Sequence, residues 1–166
     1  MLYTGSKCLF VTFVNGYSLV PLPQNFKEIL KNIKLNGLKK DSIKAFNIAL
    51  GNKEKTAMIS YSDEMANNSN KGEKKIKTTF RTLDSYKLKA DLLKIDIEGF
   101  EIEVLEGTIK TIKKYHPKII IETHSRALEK QTKEFISRLN YNLKHEGRSI
   151  YNANKEFDKV TNLFFE

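Results

Sequence analysis

The sequence predicts an α/β fold whose sheet is mainly parallel and closes with an antiparallel hairpin at the carboxyl end. Apolar segments of strand length alternate with segments in which apolar residues recur at helical spacing. Such alternation is typical of parallel strands joined by right-handed crossovers. In addition, residues 92–97 form a near-continuous apolar run, which is typical of a strand covered on both faces. The length of 166 residues favours one domain, residues 1–166.

The amino-terminal part predicts a hairpin and then a helix. Asn15-Gly16 joins two apolar runs, residues 8–14 and 17–20, and Asn-Gly between such runs is a strong hairpin signal. The helix that follows ends at Asn36-Gly37. Its apolar residues recur at i, i+3, i+4 and i+7 and therefore share one face of the helix. These residues are Phe26, Ile29, Leu30 and Ile33.

The middle of the chain predicts three more strands and a loop. The strands are residues 43–50, 56–61 and 76–83, which are rich in apolar and β-branched residues. A polar stretch from Ser62 to Lys75 separates the last two and predicts a mobile loop.

The carboxyl-terminal half predicts one helix directly after residues 92–97. This helix begins near Phe100 and is stopped by Pro117. Acids occupy its first turns and lysines its last, an order that suits the helix dipole. The remaining predicted elements are a strand at residues 118–122, a helix around Leu128 to Leu139, and strands at about residues 142–151 and 160–165.

Charged residues at the ends of two predicted strands form the candidate site. Lys94, Asp96 and Glu98 interrupt the apolar run at period two, so they share one side of the strand and crowd toward its carboxyl end. In an open α/β sheet, ligands bind at that end. Glu122 and His124 share one side of the next strand in the same way. If the two strands are neighbours, these acids and His124 converge and can bind a metal or act as acid and base.

Each of these residues also has a structural alternative. Asp96 and Glu98 can cap the helix that begins near Phe100, because acids favour helix starts. Lys94 can lower the pKa of Asp96 or serve as a base after desolvation, or it can be the ion-pair partner of a neighbouring acid. His124 can be a satisfied structural residue at a strand end. The residues alone leave these alternatives open.

The composition disfavours two classes of partner. Lys+Arg 29 against Asp+Glu 20 gives a formal net charge of +9. The lysines are scattered, and no arginine cluster interleaves with aromatic residues, so a solvated lysine surface is preferred over a nucleic-acid interface. No apolar run approaches the length of a membrane span. A cytoplasmic location is therefore the default expectation.

Four blocks of sequence resemble the FkbM family of S-adenosylmethionine-dependent methyltransferases. They are PLPQNFKEILKNIKLNGL at residues 21–38, NIALGN at 47–52, KIDIEGFEIEVLEG at 94–107 and PKIIIETH at 117–124. Several blocks in the right order are far more specific than any one motif. The resemblance implies a Rossmann-like class I methyltransferase sheet. It also implies methyl transfer from S-adenosylmethionine to an oxygen of a small-molecule acceptor, often a hydroxyl of a sugar, lipid or natural product.

The resemblance also implies roles for individual residues. Asp96 and Glu98 would face the transferred methyl and the substrate, where a carboxylate orients or deprotonates a hydroxyl or holds a divalent cation. Asp96 would also lie near the cofactor. Asn47 and Ala49 end the family's third strand, near the adenine. The stretch from Ser62 to Lys75 would lie above the site as a substrate loop or lid, with an ordinary surface loop as the alternative.

The chain departs from the family pattern at its start. A family member opens with a strand, a glycine-rich loop of the type D-x-G-A-x-x-G and a helix, and this chain has no such sequence. The acid that binds the ribose hydroxyls is replaced by Val20, which precedes Pro21. The first strand–helix unit is therefore missing or altered, and residues 1–20 form a divergent start. Two alternatives follow: a methyltransferase, or a catalytically inactive remnant that acts as a binding or interaction protein.

The missing first strand has a consequence for assembly. Without it, a parallel sheet exposes an edge that invites pairing with another chain. The hairpin at residues 8–20 can cover that edge, or a second copy can cover it in a homodimer.

Overall fold

The computed structural model of the chain describes residues 8–12, 16–39, 42–61, 74–97, 99–150 and 159–166. The strands in this part of the chain are β1 (Cys8–Thr12), β2 (Gly16–Leu19), β3 (Ile43–Phe46), β4 (Ala49–Leu50), β5 (Lys55–Tyr61), β6 (Lys74–Arg81), β7 (Leu92–Asp96), β8 (Lys118–Thr123), β9 (Leu143–Ile150) and β10 (Lys159–Phe165). The helices are α1 (Pro23–Leu35), α2 (Glu101–Glu106), α3 (Ile109–Tyr115) and α4 (Arg126–Ser137), with a short 3-10 helix at Leu83–Tyr86. Among these helices, none has the length and apolar character needed to cross a membrane.

The main sheet has seven strands in the order β3-β2-β1-β7-β8-β10-β9. The pairs β2–β3 and β7–β8 are parallel, whereas β1 and β10 are antiparallel to both of their neighbours. Five of the seven strands therefore run in one direction, but only two of the six neighbouring pairs are parallel. The prediction of a mainly parallel sheet is thus right for strand direction and wrong for pairing, because β1 and β10 are each inserted between strands of the other direction. The antiparallel hairpin at the carboxyl end, β9–β10, is confirmed.

Strand β1 lies in the middle of the sheet. It pairs antiparallel with β2, as predicted, and also with β7, with Leu9 opposite both Leu19 and Ile95. Of the two predicted turn residues, Gly16 belongs to β2 and Asn15 lies outside the described residues. The edge that was expected to be exposed beside β7 is therefore covered by the chain itself, and within the described residues the sheet ends at β3 and β9. Of the two alternatives for covering that edge, the hairpin or a second copy of the chain, the structure shows the hairpin. Dimerisation stays a prediction.

Residues 43–50 do not form the single strand that was predicted. The chain leaves the main sheet after Phe46, and β4 belongs to a second sheet of order β4-β6-β5. The reason lies at Asn47, whose side-chain amide donates to the carbonyl oxygens of Val20 and Pro21 at 2.9 and 3.0 Å. These bonds hold the end of β3 against the end of β2 and redirect the chain.

The single helix predicted from Phe100 is divided into α2 and α3. The Thr108 hydroxyl donates to the Val104 carbonyl at 2.6 Å and ends α2. Asp84 then caps α3 from a distant segment, because its carboxylate accepts the amides of Lys110 and Thr111 at 3.0 and 2.8 Å. A cap supplied from elsewhere in the chain is not visible in the helical periodicity, so the break was missed.

Helix α1 ends at Asn36-Gly37 as predicted but does not reach the buried core. None of its residues is buried. On its apolar face Phe26, Ile29 and Ile33 are half-buried, whereas Leu30 is 46% exposed. Helical periodicity predicts which residues share a face and does not predict how deeply that face is covered.

The core of the main sheet determines which side chains can line a site. Leu93 and Ile95 of β7 and Ile119 and Ile121 of β8 are fully buried, in one cluster with side chains of α2, α3 and α4. Residues between them point to the other face, where β7 is only partly buried. The prediction of a central strand covered on both faces is therefore correct for one face only. The alternation turns Asp96 away from the apolar core.

Candidate functional site

The strands β2, β3, β7 and β8 all end at one edge of the main sheet because they run in the same direction. The charged residues predicted from the sequence lie at this edge. Ile95 pairs with Ile121, so Asp96 and Glu122, the next residue of each strand, lie side by side on the same face. The edge is the place where open α/β sheets bind ligands.

Asp96, Glu122 and His124 form a compact cluster. One ligand atom from each lies within 4.8 Å of the other two. Nε2 of His124 is 3.9 Å from Oδ1 of Asp96 and 3.9 Å from Oε1 of Glu122. The three side chains are 22%, 23% and 30% exposed, respectively, so the cluster is sheltered but open to solvent on one side. These separations are longer than a direct hydrogen bond and leave room for an atom between the groups.

Lys94 pairs with the far side of Asp96. Its Nζ is 3.4 Å from Oδ2, and the lysine side chain is 39% exposed. Burial alone would raise the pKa of Asp96, but the neighbouring His124 imidazole and Lys94 ammonium outweigh it and lower the pKa below its usual value. Asp96 is therefore ionised at neutral pH. Lys94 has the geometry of the ion-pair alternative.

Glu101 belongs to this site and was not among the predicted residues. It is fully buried, and the Gly99 amide donates to both of its carboxylate oxygens at 3.1 and 2.9 Å. Gly99 adopts φ +107°, a conformation that favours glycine. Burial raises the pKa of Glu101 despite the Gly99 bond, and the charges of His124 and Asp96 also act on it. The sequence held a signal, because Glu101 precedes Leu105 by four residues and shares its apolar face.

Glu98 lies outside the described residues, so its position is not known. For Asp96, the alternative of capping α2 has no support among the described residues, because the capping residue is Phe100 and Asp96 bonds to Lys94. The predicted substrate loop from Ser62 also lies outside the described residues up to residue 73. Its last two residues, Lys74 and Lys75, belong to β6, which pairs antiparallel with β5.

Apart from Asp96, the residues expected near the cofactor lie beyond the end of β2, on the far side of β1 from the cluster. Val20 is fully buried, and its amide donates to the Phe46 carbonyl at 3.0 Å. Asn47 is exposed and binds the Val20 carbonyl, whereas Ala49 is buried at the start of β4. Since Leu19 and Ile95 are both paired with β1, the ends of β2 and β7 are two strand spacings apart, or about 10 Å. The structure thus separates these residues from the acid–histidine cluster.

Comparison with known proteins identifies a similar family and a similar fold. The model of the methyltransferase FkbM domain matches residues 3–160. The crystal structure of a methyltransferase FkbM from Methylobacillus flagellatus superimposes with a TM-score of 0.58 at 17% sequence identity. That match covers 89% of this chain but only 36% of the other. No curated protein matches the chain. At this identity the structural match establishes the fold alone.

Proposed function

This chain belongs to the FkbM methyltransferase family, and we propose that its activity is the S-adenosylmethionine-dependent methylation of a hydroxyl oxygen on a sugar, lipid or natural product. The observation that carries the proposal is the cluster of Asp96, Glu122 and His124 at the carboxyl ends of two neighbouring parallel strands. The strand order and the five strands in one direction support a Rossmann-like methyltransferase sheet. The proposal treats residues 1–166 as a single domain with a divergent start at residues 1–20.

The cluster has the chemistry needed to hold and activate a hydroxyl. An oxygen atom about 2.8 Å from both His124 Nε2 and Asp96 Oδ1 fits between these atoms, which are 3.9 Å apart. The ionised Asp96 accepts the hydroxyl hydrogen bond, while Lys94 holds the second carboxylate oxygen and fixes the orientation of the group. Placement of the acceptor oxygen and removal of its proton are the two contributions that a transferase of this kind needs from the protein.

The described residues on the cofactor side of the site lack the groups that the family pattern requires there. Val20 occupies the position of the ribose-binding acid, is fully buried and has no hydrogen-bonding side-chain atom. Its carbonyl oxygen already accepts from Asn47. Strand β1 begins at this edge of the sheet and does not end there, so it cannot deliver a glycine-rich turn to it. The described residues therefore do not fit the family's pattern for binding the cofactor ribose. The chemistry proposed for this chain is confined to the residues that would hold the acceptor hydroxyl.

This disagreement supports a second candidate function. A protein that keeps the acceptor site but lacks the cofactor-binding residues would bind a hydroxylated small molecule and transfer no methyl group to it. Such a protein would act as a binding or interaction protein. Val20 and the reversed direction of β1 are the observations that favour it.

Calorimetric titration with S-adenosylhomocysteine, with and without magnesium, separates the two candidates. We expect weak binding, because the described residues offer no carboxylate to the ribose. A dissociation constant in the micromolar range or tighter would show that other residues bind the cofactor, and would favour the enzyme. Absence of binding to a chain that is folded by circular dichroism would favour the binding protein.

If methyl transfer is detected, Asp96→Asn tests the acceptor side. We expect the rate to fall by about 100-fold to 10,000-fold, because the amide cannot take the proton. Asp91→Asn is a matched control, since Asp91 is exposed and lies immediately before the same strand, five residues earlier in the chain. Turnover that is unchanged in Asp96→Asn would remove Asp96 from the mechanism.

A further inference from the structure

We propose that Asp96, Glu122 and His124 form a binding site for a divalent first-row transition-metal ion, such as Mn²⁺, Fe²⁺ or Zn²⁺. The proposal rests on the acceptor site of the proposed function but not on methyl transfer itself. It adds a metal to that site as the group that would hold the acceptor hydroxyl.

The three candidate ligand atoms surround a space of the right size. All lie within 4.8 Å of one another, and His124 Nε2 is 3.9 Å from each carboxylate oxygen. A point equidistant from three such atoms is about 2.5 Å from each of them, and coordination of Mn²⁺ or Zn²⁺ at about 2.0 to 2.2 Å needs shifts of only a few tenths of an ångström. Asp96 and Glu122 are held in register by the β7–β8 ladder, so the space does not depend on a flexible loop.

The ligand types select the kind of metal. An imidazole nitrogen together with two carboxylates suits Mn²⁺, Fe²⁺ and Zn²⁺, whereas Mg²⁺ and Ca²⁺ prefer oxygen ligands alone. Three protein ligands leave coordination positions open for water or for a substrate hydroxyl. A hydroxyl bound there would lose its proton more readily, because the cation stabilises the alkoxide.

The charges around the cluster favour a cation at Oδ1 of Asp96. Lys94 lies 3.4 Å from Oδ2, so it holds the other oxygen and leaves Oδ1, which faces His124, as the ligand. A cation between Asp96 and Glu122 would compensate the negative charge of these two carboxylates.

Titration of the chelator-stripped chain with Zn²⁺, Mn²⁺ and Mg²⁺, followed by calorimetry, tests the proposal. We expect one ion per chain, with Zn²⁺ bound more tightly than Mn²⁺ and Mg²⁺ weakest. His124→Ala and Glu122→Gln should each weaken Zn²⁺ binding by about 100-fold or more, beyond the effect of an outer-shell change. The matched controls are His145→Ala and Glu134→Gln, because both residues are exposed away from the cluster. Their affinities should equal that of the unmodified chain.

Two results would overturn the metal site. One is the absence of stoichiometric binding to the folded, unmodified chain. The other is binding that persists unchanged in both His124→Ala and Glu122→Gln. Neither result depends on S-adenosylhomocysteine, which is titrated separately. A chain that binds S-adenosylhomocysteine but no metal would contradict the metal site alone, whereas a chain that binds metal but no S-adenosylhomocysteine would support it while the proposed transferase activity fails.

Discussion

Replacing Gly107 with alanine tests how the small sheet is attached to the helices beside the site. A Cβ at Gly107 would overlap the carbonyl oxygen of Gly51, lie 3.0 Å from its carbonyl carbon and 3.4 Å from Cα of Asn52. Gly51 directly follows β4, and Gly107 is the residue between α2 and Thr108. The backbone at Gly107 has φ −76°, which alanine adopts without strain. The expected effect is therefore purely steric.

The size of the effect follows from the contact. A carbon and a carbonyl oxygen need a separation of about 3.3 Å, so the two backbones would have to move apart by about 1 Å. Overpacking of this kind costs about 1 to 3 kcal/mol. The lower conformational entropy of alanine in the unfolded chain offsets about 0.4 to 1 kcal/mol of this. We expect a net loss of about 1 to 2 kcal/mol in the free energy of unfolding.

Urea unfolding followed by circular dichroism measures this loss. With a slope of about 2 kcal/mol per molar urea, the midpoint should fall by about 0.5 to 1 M. Gly147→Ala is the matched control, because a Cβ there would meet only Nε2 of His145, at an ordinary contact distance of 3.8 Å. Its midpoint should be unchanged or slightly raised. A Gly107→Ala chain with the same midpoint as the control would refute the close approach of α2 to the small sheet.

Two further predictions concern distant contacts. The carboxylate of Asp84 accepts hydrogen bonds from the Thr111 amide and hydroxyl at the start of α3, both at 2.8 Å. Asp84→Ala removes this acceptor and should lower the free energy of unfolding by about 1 to 2 kcal/mol in the same urea assay. An unchanged midpoint would contradict the cap. Hydrogen bonds from Lys133 and Arg148 hold the pKa of Glu146 below its usual value, so the ionised form stabilises the fold above the unfolded pKa, and this contribution is lost as pH falls through the folded pKa. The melting temperature of Glu146→Gln should therefore lie below that of the unmodified chain at pH 7 and approach it below pH 4, whereas a gap that is constant with pH would contradict the ion pairs.

Much of the secondary structure could be predicted because it depends on neighbouring residues. The antiparallel pairing of β1 with β2, the end of α1 at Asn36-Gly37 and the carboxyl-terminal hairpin all follow from local turn and periodicity signals. The period of two predicted that Asp96 and Glu122 would converge if their strands are neighbours. The structure pairs the two strands and brings both acids together with His124. Their roles in binding or catalysis stay predictions.

The errors have a common cause in contacts between distant residues. The break between α2 and α3 depends on Asp84, which lies more than twenty residues earlier in the chain. The turn of the chain after β3 depends on bonds from Asn47 to the end of β2. In each case the local sequence pattern was interpreted correctly, but the residue that contacts it lies in a distant segment of the chain.

The sequence by itself determined the family, the alternation of strands and helices, and the acids and histidine at the ends of two predicted strands. These depend on residue spacing, which fixes the side of a strand or helix to which each side chain points. Only the tertiary structure decided that β1 runs antiparallel between β2 and β7 and that Glu101 is buried beside the cluster. Strand pairing and burial depend on which distant segments meet, and the free energy of those contacts is not a property of any local stretch of chain.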